Sequence, residues 1–153
     1  MRTATAAIAA LLISTVALTA CGDGDSGHQK HADQLKTCAD TTGDIDDYGQ
    51  AIETNLSVAR SVWGVGDTSE YMSTANTDIR DWSSNLAVQR TTDISPDLKT
   101  AMNTLLLKLQ PLQDATDNPT AEPPRPDPSI QIYSNSVDSI CRPLLHGPLL
   151  DQP

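Results

Sequence analysis

Between Leu35 and Leu144 apolar side chains return every three or four residues with polar ones between them. This spacing lays one apolar stripe along a helix of 3.6 residues per turn. Four such stripes follow one another. The first joins Leu35, Cys38, Ile45, Tyr48, Ile52, Leu56, Ala59 and Trp63, with Gly64 and Gly66 as its stop and Gly43 as the point where it is expected to break. The second joins Met72, Ala75, Ile79, Trp82 and Leu86 and opens at Asp67-Thr68-Ser69-Glu70, the acceptor-plus-acid run that satisfies free amide donors at a helix start.

The third stripe, Leu98, Ala101, Met102, Leu105, Leu109 and Leu112, opens at Ser95-Pro96, where a capping hydroxyl precedes the one helical position that needs no amide hydrogen. Leu106 and Leu107 widen it and point to this helix as the centre of the fold, while Pro111 is expected to kink or shorten its last turn. From Asn118 to Pro128, five prolines in eleven residues exclude a helix and predict a stiff crossover that serves as a spacer. Asp127-Pro128 opens a fourth stripe of Ile130, Tyr133, Val137, Ile140 and Leu144, which Pro143 and Pro148 close. No strand-like alternation is sustained after residue 20, so the chain reads as all-α, a small four-helix bundle.

The first twenty residues have another organisation: Arg2, an apolar run from Ala4 to Ala17, then Leu18-Thr19-Ala20-Cys21. A positive start, a short apolar run and small residues before a cut make a secretory signal. Leu18, Thr19, Ala20 and Cys21 resemble the lipobox of bacterial lipoproteins. That resemblance implies a diacylglyceryl thioether on Cys21, cleavage before it and acylation of the new amino terminus. Two acyl chains anchor stably, since each buried methylene contributes about 0.8 kcal/mol. The expected organisation is a signal over 1–20, a lipidated Cys21 with a flexible tether over 21–32, and a helical domain over 33–153. The expected location is the extracytoplasmic face of the cell membrane.

Lipidation of Cys21 leaves Cys38 and Cys141 as an even pair in an oxidising compartment, which predicts a disulfide. It would join the start of the first helix to the end of the fourth and close a loop of about a hundred residues, contributing roughly 4 to 5 kcal/mol through loop-closure entropy. The last helix, short and reached through a proline-rich connection, is the element in need of such a staple.

Without the signal, nine basic residues face twenty acidic ones. Nucleic acid and anionic lipid headgroups both need the basic surface that this chain lacks. Five aromatic residues and no Phe leave Ala, Leu, Ile and Val to fill the core. His28 and His31 stand three apart beside acidic residues but in a segment read as a polar tether, and Asp40, Asp44 and Asp47 share one helix face without the order of a calcium loop. Both groups read as solvated polar surface, and no metal site is expected. The chain has no Gly-x-Ser-x-Gly elbow, no His-Glu-x-x-His pair and no phosphate loop with its Lys. The expectation is a chain that is not an enzyme and carries no cofactor.

An Ala-, Thr- and Asp-rich, Lys-poor composition behind a lipobox is similar to that of small actinobacterial lipoproteins, among them surface-exclusion lipoproteins of phages and mobile elements. This implies a protein-interaction or envelope-associated module with a protein partner. The alternative is a carrier of a small ligand or lipid, with the Leu-rich third helix and Trp82 lining a cavity. The anchor is tested by expressing the Cys21→Ser chain. Its loss from the membrane fraction is expected, and unchanged fractionation together with indifference of the parent to globomycin would refute the lipobox.

Overall fold

The computed structural model describes residues 25–147. The signal, the lipobox with Cys21, and Pro148 lie outside the described residues. Four helices are present, α1 Asp25–Val62, α2 Ser69–Gln89, α3 Pro96–Thr116 and α4 Pro128–His146, with no strand among the described residues. The expected all-α bundle is what the chain forms.

Its helix starts follow local chemistry. Ser95 Oγ accepts from Leu98 N at 3.3 Å and Asp127 Oδ1 accepts from Ser129 N at 2.8 Å, each with proline at the next position. At α2 the capping acceptor is Asp67, whose Oδ1 takes both the amide and the hydroxyl of Ser69. Thr68 makes no cap and instead turns its hydroxyl toward the Pro119 carbonyl.

The helices run up, down, up and down. α1 packs on α2 and α4, and α3 packs on the same two, so they close a four-sided ring. The centre is filled by the stripes: Met72, Ala75, Ile79, Trp82 and Leu86 of α2 are all buried, as are Leu98, Met102, Leu105, Leu109 and Leu112 of α3. α3 occupies a corner equivalent to the others and not the centre. Leu107, expected to widen its stripe, is 67% exposed, because one helix face reaches the core and a residue two positions from Leu105 falls outside it.

Two polar clamps fix the register of α2. Near one end, Asp44 of α1 accepts from Gln89 Nε2 at 2.9 Å and Asn85 Nδ2 at 3.3 Å, while the buried Thr41 hydroxyl donates to Gln89 Oε1 at 2.7 Å. At the other end Asn76 Nδ2 donates to Thr116 Oγ1 at 2.9 Å and to Asp117 Oδ1 at 3.0 Å, tying α2 to the end of α3. Arg80 reaches the same Asp117 oxygen at 2.8 Å.

The proline-rich segment crosses the end of the bundle. It passes α2 where Pro119 meets Thr68, passes α1 where the Pro124 carbonyl accepts from Arg60 at 2.8 Å, then descends beside α3 to Asp127, 3.9 Å from Lys108 Nζ. α4 thus starts partway down the bundle. Its fully buried apolar surface is Val137 and Cys141, with Ile130, Tyr133, Ile140 and Leu144 only partly covered. At roughly 1.5 to 3 kcal/mol per fully buried apolar side chain, α4 is held far more weakly than α2 with its five. The Cys38–Cys141 disulfide, spanning 103 residues with Cα atoms 5.1 Å apart, makes up the difference.

Four further expectations are corrected. α1 begins at Asp25, so residues 25–32 are helical and not part of a flexible tether; the packed turns from Thr37 onward nucleate a helix that propagates back through a proline-free stretch. α1 also runs unbroken through Gly43, which is exposed, because a cost of about 1 kcal/mol for an internal Gly is small against the packing on both sides. Pro111 and Pro143 lie inside α3 and α4: both rings are on the exposed side of their helices, which run on past them to Thr116 and His146. Trp63 falls one residue beyond α1 and is 41% exposed, so it is not a core residue.

Replacing Cys38 and Cys141 together by Ala is expected to lower unfolding free energy by about 3 to 5 kcal/mol. Amide exchange should accelerate most in residues 128–146, and uniform acceleration in all four helices would contradict the assigned weakness of α4.

Candidate functional site

Where α4 begins late, the bundle is left with a groove. Its volume is about 530 Å³, within the range of small-molecule sites. Ile45, Gly49 and Ile52 of α1, spaced by four and three, form one wall, and Asp46, Gln50 and Glu53 follow the same helical spacing along its rim. Pro126, Asp127, Pro128, Ile130, Gln131 and Ser134 form the other wall. Leu109 and Leu112 of α3 and Trp82, reaching through from α2, supply the floor.

Gly49 is the lowest point of the α1 wall, since a Cβ there would meet no atom within 4 Å. Trp82 is only 2% exposed, yet its indole Nε1–H has no hydrogen-bond partner among the described residues. A buried donor left unpaired costs about 1 to 3 kcal/mol, so this indole is a local defect, and the Ser129 hydroxyl is the other buried side-chain group without a partner among the described residues.

The rim is acidic. Asp46, Glu53 and Asp127 line the groove and no basic residue does. The Ser129 amide that Asp127 caps holds its carboxyl below the ordinary carboxylate range, and nearby Lys108 acts in the same direction. Asp46 and Glu53 are exposed on the surface of α1.

The residues singled out from sequence fall elsewhere. Cys38 and Cys141 are bonded, at the opposite end of α4 from the groove. His28 and His31 are exposed on α1, and among the described residues no group of three His, Cys, Asp or Glu side chains is placed to hold a metal ion. Asp40 pairs with Lys36, Asp44 is taken by α2, and Asp47 is exposed, so the three carboxylates do not converge. Sequence reasoning placed Trp82 and the Leu-rich third helix beside a conceivable cavity but missed its walls. The available signal was Gly49, a residue without a side chain between Ile45 and Ile52 on the apolar stripe.

The caps on α2 and α4 are carboxylates held in their charged form, Asp67 by the Ser69 hydroxyl and amide and Asp127 by the Ser129 amide. A carboxyl whose pKa is lower folded than unfolded stabilises the fold above the unfolded value. That contribution is lost as pH falls through the folded one. Asp127→Ala is therefore expected to lower the urea midpoint at neutral pH and to differ little from the parent near about pH 2, measured by circular dichroism. An equal deficit at both pH values would assign the effect to packing and not to the charged cap.

Compared with known proteins, the chain matches no family, no curated sequence and no solved structure.

Proposed function

We propose that this chain is a membrane-anchored extracytoplasmic lipoprotein whose helical bundle is a binding module. The observation that carries this reading is the Cys38–Cys141 disulfide, a bond that persists in an oxidising compartment, in a chain where Leu18-Thr19-Ala20-Cys21 accounts for the remaining cysteine. With lipid on Cys21, α1 starts four residues from the membrane anchor. The end of the bundle holding the start of α1 and the end of α4 then lies near the bilayer.

The opposite end, about 55 Å away along a 38-residue α1, carries Trp63 and Val65, the latter 87% exposed. Apolar groups presented at that distance from an acidic, membrane-repelled bundle suit contact with another envelope protein. The second reading, a carrier of a small ligand, is favoured by the groove floored by Trp82, Leu109 and Leu112.

A photo-crosslinking residue at Val65 of the anchored protein in its native cells is expected to give discrete protein adducts, with few from the same residue at Val88, which is exposed on the flank of α2. Equal labelling from both positions, or recovery of the protein outside the membrane fraction, would overturn the interaction reading.

A further inference from the structure

The geometry points to an amphiphilic organic cation as the occupant of the groove: an apolar body, a positively charged head and a carbonyl or hydroxyl acceptor between them. This inference rests on the second reading above, that the groove takes a small ligand.

Three independent features agree on that chemistry. The floor and lower walls, from Ile45, Ile52, Trp82, Leu109, Leu112 and Ile130, are apolar and already shaped by the packed core, so an alkyl or ring body would leave water without ordering the protein. The rim carries Asp46, Glu53 and Asp127 with no cation among the lining residues. Lys108 is matched to Asp127, which leaves Asp46 and Glu53, seven residues apart on α1 and exposed, as charges that no basic side chain pairs with among the described residues. An anionic head would meet like charge there.

The third feature is the indole of Trp82. Its Nε1–H is buried and unpartnered in the same side chain that floors the groove. An acceptor on the ligand, set between body and head, gives this donor the partner the protein does not supply. Gly49 keeps the way in open, because nothing occupies the space a side chain would take at that position.

The test uses the chain from residue 21 onward carrying Cys21→Ser, which retains all four helices and every contact described above. Three probes are titrated below their micellar concentrations: decanoylcholine, with all three features; decyltrimethylammonium, without the carbonyl; and decanoate, with the charge reversed. Decanoylcholine is expected to bind at least about tenfold more tightly than decanoate and several-fold more tightly than decyltrimethylammonium. In ¹⁵N-labelled protein the Trp82 indole resonance should move on binding. That of Trp63, at the far end of α1, should not.

Gly49→Leu fills the groove and restores helix propensity, so it should abolish the binding while leaving the melting temperature equal to or above that of the parent. Asp46→Asn combined with Glu53→Gln, both at exposed positions, should weaken decanoylcholine about fivefold and leave decanoate unchanged or tighter. Binding of decanoate as tight as that of decanoylcholine, a fixed Trp82 resonance, or full binding by a folded Gly49→Leu chain would each overturn the inference. None of these results bears on membrane anchoring, which is read from Cys21→Ser alone.

Discussion

The covalent link between Cys38 and Cys141 is the constraint on which the last quarter of the structure depends. α4 contributes Val137 and Cys141 as its only fully buried apolar side chains, against five from α2 and five from α3. It also follows a segment with no helical hydrogen bonds of its own, so little local structure presents it to the bundle. A disulfide closing a loop this long acts chiefly by restricting the unfolded chain, and it does so whatever the quality of the packing around it. That allows α4 to carry an internal Pro143 and to begin partway down the bundle.

The other three helices are held differently. Their stripes supply most of the buried apolar surface, but apolar packing alone specifies the register of neighbouring helices weakly. The clamps oppose that slippage. Asp44 with Gln89 and Asn85 holds α2 to α1, and Asn76 with Thr116 and Asp117 holds α2 to α3. Each places buried or half-buried polar atoms opposite partners that one register alone supplies, and a shift by a turn would strand them.

The groove follows from these two arrangements together. The clamps hold α1, α2 and α3 as a rigid three-sided trough, and the staple fixes α4 over its lower part only. Beside the start of α4 the proline segment and Gly49 leave the trough partly uncovered, with the buried Trp82, Leu109 and Leu112 beneath it as its floor. The candidate site is thus a place where a four-helix bundle lacks its fourth helix.

The helices, their order and the disulfide partners were legible in the chain, because periodicity, caps and cysteine parity are local or countable properties. Every apolar residue expected on α2 is buried, and Ser95-Pro96 and Asp127-Pro128 open helices where the residues alone say they should. Gly43, Pro111, Pro143 and the stretch 25–32 were read against helix on local propensity, and in each case packing or solvation elsewhere outweighed a local cost of order 1 to 3 kcal/mol. The site was hardly legible at all. Its residues come from four helices and the proline segment, and only the tertiary structure decides that α4 starts halfway along α3, that Trp82 reaches through to the far side of the core, and that the gap left by Gly49 faces them both.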